Sequence, residues 1–133
     1  MIYLACPYSH EYASVREQRY QLCLLRAIAL LEAGESVFSP ILHSHVLATK
    51  VGPESLPWEA WAGLDIAIVK RCSVLEVIVA DGWKDSVGVQ AEIREARCRG
   101  IEIRYVQPRF EIVAPRYTGF SEPTDAPPEE VAT

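Results

Sequence analysis

The chain reads as an α/β domain built on a parallel sheet, and three observations lead there. Short apolar runs alternate with longer helical patterns: Ile2 to Cys6, Ser14 to Ala33, Ser36 to Ser39, and later Val74 to Ala80, Ser86 to Arg99, Glu102 to Val106. Strands alternating with helices form β-α-β units with right-handed crossovers. The run Val74-Leu75-Glu76-Val77-Ile78-Val79-Ala80 is apolar except at Glu76, as expected of a strand buried on both faces. It breaks at Asp81-Gly82-Trp83, and Ser86-Val87-Gly88-Val89-Gln90-Ala91-Glu92 then opens a helical pattern.

Each element has a local reason. Pro7 ends the first strand, since proline removes a ladder donor. The helical pattern from about Ser14 carries Leu24, Ile28 and Leu31 as one stripe beside Leu22, Leu25 and Ala29, and Gly34 stops it. Pro40 closes the second strand, and Ile41 to Thr49 is weakly helical. Gly52-Pro53 and Pro57 mark a loop, and Pro57 suits the start of a helix over Trp58 to Arg71. Gly100 stops the helix that precedes the fourth strand. Strand order is not legible. A sheet this small, with open edges, favours a subunit partner as cover.

With 133 residues the chain is one domain. The pattern holds over residues 1–108. Residues 109–133 form a C-terminal extension, expected to be loosely ordered or packed on a neighbouring subunit; Pro123, Pro127, Pro128 and several acids leave it few apolar groups. The net charge of −5, without a basic run, excludes duplex nucleic acid as a partner, because that demands phosphate neutralisation. A small phosphorylated ligand needs only a few N–H groups and an arginine. No apolar stretch approaches the ~20 residues of a membrane span, and Met1 to Ala5 is too short for a secretory signal. A cytoplasmic protein with no membrane association is expected. The cysteines Cys6, Cys23, Cys72 and Cys98 form no C-x-x-C pair and read as reduced thiols, mostly buried. No G-x-G-x-x-G, P-loop or G-x-S-x-G motif is present, so no cofactor is expected.

Candidate chemistry gathers where strands end. Ligands of open α/β sheets bind in the crevice beyond the carboxyl ends of the strands. Gly88 and Glu92 share a helix face, glycine leaves space beside the carboxylate, and the helix start offers free N–H groups to an anion. A carboxylate there can attack a sugar anomeric carbon, whose oxocarbenium-like transition state needs an anion beneath it. The ordinary alternative is a solvated glutamate near a helix dipole. Trp58, Trp61 and Asp65 share a face by spacing; they form either a surface for a base or sugar, or core packing with an exposed aspartate. Tyr8, Ser9 and His10 follow the first strand at the same sheet end as Asp81, where Tyr8 is expected to hydrogen-bond Glu92. His43 and His45 lack a third metal ligand, so a polar rim touching ligand is expected of one of them and no metal site. Arg16 and Arg19 are within reach of a phosphate from the first turns of their helix, although such residues are more often solvated.

These residues carry a likeness. The chain resembles the nucleoside 2-deoxyribosyltransferase-like superfamily, in particular its short bacterial and phage members, from Met1 to about Pro108. The matching segments are Ile2-Tyr3-Leu4-Ala5 with Pro7-Tyr8-Ser9, and Phe38-Ser39-Pro40 with His43 and His45. Asp65 preceded by Trp61 is a third, and Asp81-Gly82-Trp83 through Ser86-x-Gly88-Val89-x-x-Glu92 is the most specific.

The resemblance implies a flavodoxin-like three-layer fold with a parallel sheet of four to five strands. It implies Glu92 as nucleophile, Asp65 contacting the sugar or assisting the departing base, and Tyr8 positioning the glutamate. Ser86 stands where the superfamily's 5′-monophosphate N-glycosidases carry a phosphate-binding serine and its transferases an aspartate. Against that, Cys6-Pro7-Tyr8-Ser9-His10 departs from the Gly-Ser-x-x-Gly loop of those glycosidases. Trp61 or Trp83 would stack on the base. A homodimer or homotetramer is implied too. Cleavage by water, transfer to a second base, and an inactive nucleotide-binding or sensor module all remain open.

Overall fold

A computed structural model describes residues 1–51 and 58–109. The loop markers Gly52, Pro53 and Pro57, the extension beyond residue 109 and the side chain of Trp58 lie outside the described residues. The elements run β1 (Ile2–Ala5), α1 (Ala13–Glu32), β2 (Val37–Phe38), α2 (Pro40–Val51), α3 (Trp58–Val69), β3 (Val74–Ile78), α4 (Val87–Arg99) and β4 (Glu102–Val106). The sheet is parallel throughout, in the order β2-β1-β3-β4. That is the flavodoxin-like order, and helices on both faces make the fold three-layered.

Alternation along the strands divides the core. Tyr3 and Ala5 of β1 face the same way as Leu75 and Val77 of β3, and pack against Val69 of α3 and Val89, Ile93 and Ala96 of α4. Leu4 and Cys6 with Ile78 and Ala80 face the other way, onto Cys23 and Ala27 of α1 and Ile41 of α2. Register places Tyr3 beside Leu75 and Leu4 beside Glu76.

Glu76, the one break in the apolar run, is 3% exposed and meets Arg26 of α1 at 2.5 Å. A carboxylate buried this far needs a paired cation to offset its desolvation.

The inward face of α1 differs from the stripe expected. Cys23, Ala27 and Leu30 are buried, whereas Ile28 and Leu31 are exposed. From Leu22 to Leu31 every residue but Arg26 is apolar, so periodicity there does not select a face. The small Cys23 and Ala27 are the α1 residues that pack on the sheet. The second strand is only two residues long, and Pro40 stands at the first position of a full helix rather than merely ending the strand.

Candidate active site

Two strand ends build the site. The chain leaves β1 through Cys6 to His10 toward α1 on one face, and leaves β3 through Asp81 to Ser86 toward α4 on the other. In this strand order a crevice opens between them, at the point where the connections diverge. Arg19 ties its two lips together, donating from one guanidinium nitrogen to the Ser9 carbonyl at 2.9 Å and from the other to the Asp81 carbonyl at 2.9 Å. Gly82 turns beneath this clamp with φ +83°, and a Cβ there would meet the Arg19 guanidinium at 3.4 Å. Arg16 holds the same loop through the His10 and Glu11 carbonyls.

Helix α4 starts at the crevice. Ser86 caps it, its hydroxyl accepting from the Val89 N–H at 3.3 Å, and Gly100 in the left-handed region ends it. One turn inside lies Glu92, only 6% exposed. Tyr3 donates its hydroxyl to the Glu92 Oε1 at 2.8 Å. Burial pushes the Glu92 carboxyl up to about 8; the Tyr3 bond opposes this and the charge of Asp65 adds to it. Burial likewise raises Asp65 to about 6, against the pull of His43. The Tyr3 phenol is held far above its ordinary value, first by burial and then by the charge of Glu92.

A cleft of about 740 Å³ joins these groups. Tyr8, Ser9, Trp61, Asp65, Ser86, Gly88 and Glu92 all line it, brought from β1, α3 and α4 to one place. The space beside Gly88 is open: a Cβ there would meet nothing within 4 Å. Volume and lining are those of a small-molecule site.

Three expected site residues stand elsewhere. Trp83 packs on Tyr105 of β4, ring centroids 5.5 Å apart, and lies partly buried against the core, whereas Trp61 lines the cleft. Asp81 contributes its carbonyl to the Arg19 clamp, while the residue is exposed and outside the lining of this cleft. His43 is exposed near Phe38 and bears on the site only through its effect on Asp65.

The expected Tyr8–Glu92 bond is also corrected. Tyr8 bonds His45, with Oη and Nδ1 2.6 Å apart, and Tyr3 takes the glutamate. Tyr3 points inward from the middle of β1 onto the α4 face, whereas Tyr8 lies past the strand end, toward α2. The signal was present: a tyrosine inside a buried strand needs a partner for its hydroxyl. The lining also includes Arg16, Arg19, Asp85 and Ser44, of which only the arginines drew attention from sequence.

Among the described residues no group of three His, Cys, Asp or Glu is placed to hold a metal ion, and no helix is long and apolar enough to cross a membrane. No curated protein matches the chain. Residues 1–107, which include the four described strands and the residues that line the cleft, match a family described as a domain of unknown function (DUF1937), and the chain belongs to that family.

Proposed function

We propose that the protein is a cytoplasmic enzyme that cleaves or transfers the N-glycosidic bond of a nucleoside or nucleoside 5′-monophosphate, with Glu92 as nucleophile. The observation that carries this reading is a nearly fully buried carboxylate, held by a tyrosine hydroxyl, sharing a cleft with a second carboxylate of raised pKa. Paired carboxylates in different environments are what glycoside chemistry requires. The likeness to the nucleoside 2-deoxyribosyltransferase-like superfamily points the same way.

In the reaction, ionised Glu92 attacks the anomeric carbon and the bond to the base breaks. Asp65, protonated, donates to the departing base; the reaction thus draws on the minor form with Glu92 ionised and Asp65 protonated, since between pH 6 and 8 the empty cleft favours the reverse. Tyr3 fixes the attacking carboxylate and stabilises its charge. Trp61 stacks on the base, and Ser9, Ser86 and the free N–H groups of α4 hold the 5′ end. The glycosyl-enzyme is then resolved by water or by a second base. Homodimeric or homotetrameric assembly goes with this reading, and light scattering tests it.

The raised pKa of Glu92 favours a second reading, because a carboxyl kept neutral in the empty cleft suits a nucleotide-binding or sensor module. Incubation with a panel of nucleosides and 5′-monophosphates, with free base followed by chromatography and Glu92→Gln alongside, separates the two. Base release abolished by the substitution supports the enzyme. Micromolar binding of monophosphates with no base release from any of them supports the binder.

A further inference from the structure

A second ionisable assembly borders the cleft through Tyr8 and plays no part in the first half of the reaction. The Tyr8 hydroxyl and His45 Nδ1 are 2.6 Å apart, and His45 Nε2 is 3.0 Å from the Glu17 carboxylate. In the tautomer that directs Nε2–H at Glu17, Nδ1 keeps a lone pair for the Tyr8 proton. Tyr20 stacks on the same ring at 4.3 Å and Tyr8 meets it edge-on, so the ring is fixed in plane and position. These groups come from three elements: the loop after β1, α1 and α2. Exposure rises along the row, from His45 at 15% to Glu17 at 53%. The row therefore runs from cleft to solvent. Of the other groups facing it, Arg16 of α1 adds a positive charge near Tyr8, and Tyr20 presents its ring.

We propose that Tyr8, His45 and Glu17 form a proton exit from the cleft, with Tyr8 as the base that takes a proton from the water attacking the glycosyl-enzyme. This rests on the glycosidase reading above and assigns the group that serves its second half. The water oxygen bonds the anomeric carbon while the bond from that carbon to the Glu92 oxygen breaks, its electron pair returning to the carboxylate. One water proton passes to the Tyr8 oxygen as the phenolic proton passes to His45 Nδ1. The imidazolium faces the Glu17 carboxylate and loses its Nε2 proton to solvent there; once product has left, Nε2 regains a proton from solvent as the Nδ1 proton returns through Tyr8 to water in the emptied cleft, which restores the starting tautomer. Asp65, which gave its proton to the base, regains one from solvent, so the turnover closes. A carboxylate that orients an imidazole, which in turn accepts from a hydroxyl, is the arrangement that makes a hydroxyl basic enough to act. Tyr8 touches the reacting water; His45 and Glu17 are positioning residues acting through it.

The test follows both halves of turnover in wild type, Tyr8→Phe, His45→Asn and Glu17→Gln, with a substrate from the panel. Rapid quench gives base release in the first turnover, and intact mass reports protein carrying one sugar. In Tyr8→Phe and His45→Asn, first-turnover release stays within about threefold of wild type and the glycosyl-enzyme accumulates. Their steady-state rate falls about 100-fold, as expected for loss of a general base, and about tenfold in Glu17→Gln. Azide, which attacks without giving up a proton, restores turnover of Tyr8→Phe. Thermal melting separates a folding defect from a chemical one. The asparagine amide still accepts from Tyr8 but takes no proton, so wild-type turnover in His45→Asn overturns the relay. Equal loss of both halves in Tyr8→Phe, without azide rescue, overturns it too. No base release from wild type overturns the glycosidase reading itself and the relay with it.

Discussion

Tyr3 and Glu92 lie 89 positions apart in the chain and meet inside the core, phenol to carboxylate, at 2.8 Å. One sits in the middle of β1 and the other a turn inside α4, so the bond joins the sheet to the helix that carries the candidate nucleophile. Because this bond lowers the Glu92 pKa against the effect of burial, it bears on reactivity as well as packing.

Tyr3→Phe is expected to keep the fold, at a cost of about 1 kcal/mol for one lost hydrogen bond. The Glu92 pKa rises further, so base release at pH 7 falls 10- to 100-fold and the loss narrows as pH is raised. A pH–rate profile of the variant beside wild type checks this; a pH-independent loss contradicts it.

Stability should depend on pH through Glu92. Its folded pKa of about 8 stands above the unfolded 4.5, so the native chain holds a proton that the unfolded chain releases. The stability from this source is complete below about pH 4.5 and is lost as pH rises through 8, a change of roughly 2–5 kcal/mol. Glu92→Gln keeps an acceptor for Tyr3 and has no charge to bury. Its melting temperature should match wild type near pH 4.5 and exceed it by about 10 °C at pH 9. Parallel melting curves across that range would refute the burial argument.

Asp65→Asn distinguishes the roles of the two carboxylates. Wild-type kcat/KM should be bell-shaped, with limbs near 6 and 8 from Asp65 and Glu92. If Glu92 attacks as the anion, the variant loses the bell and its residual activity, reduced 100-fold or more, rises with pH. Residual activity that falls with pH would make Glu92 the acid instead.

Gly88→Ala should separate stability from binding. The added methyl meets nothing in the empty cleft, and alanine favours a helix over glycine by roughly 0.5–1 kcal/mol. The melting temperature rises by a few degrees while KM increases about tenfold, because the methyl occupies ligand space. Unchanged KM would place the ligand away from α4.

Much of the site was readable before the fold was known. Gly88 and Glu92 share a face because helical spacing demands it, and the strand–turn–helix around Asp81 to Ser86 sets that face at a strand end. Tyr8 and Ser9 follow the first strand and so fall at the same opening, whereas spacing puts Trp61 and Asp65 on one helix face and only the resemblance brings them to the site. Trp83 misled, because an indole beside a site loop looks like a ligand platform. The strand that partly covers it, through Tyr105, is determined by sheet order.

By itself the sequence determined the element types and their alternation, the parallel character of the sheet and the glycine stop of α4, because these rest on local periodicity and turn chemistry. Strand order, the buried face of α1, the Tyr3 partner of Glu92 and the row from Tyr8 through His45 to Glu17 were decided only in three dimensions. Those contacts join residues from separate elements, and their choice depends on which side chains fit across the gap between layers. Local patterns carry no record of that fit.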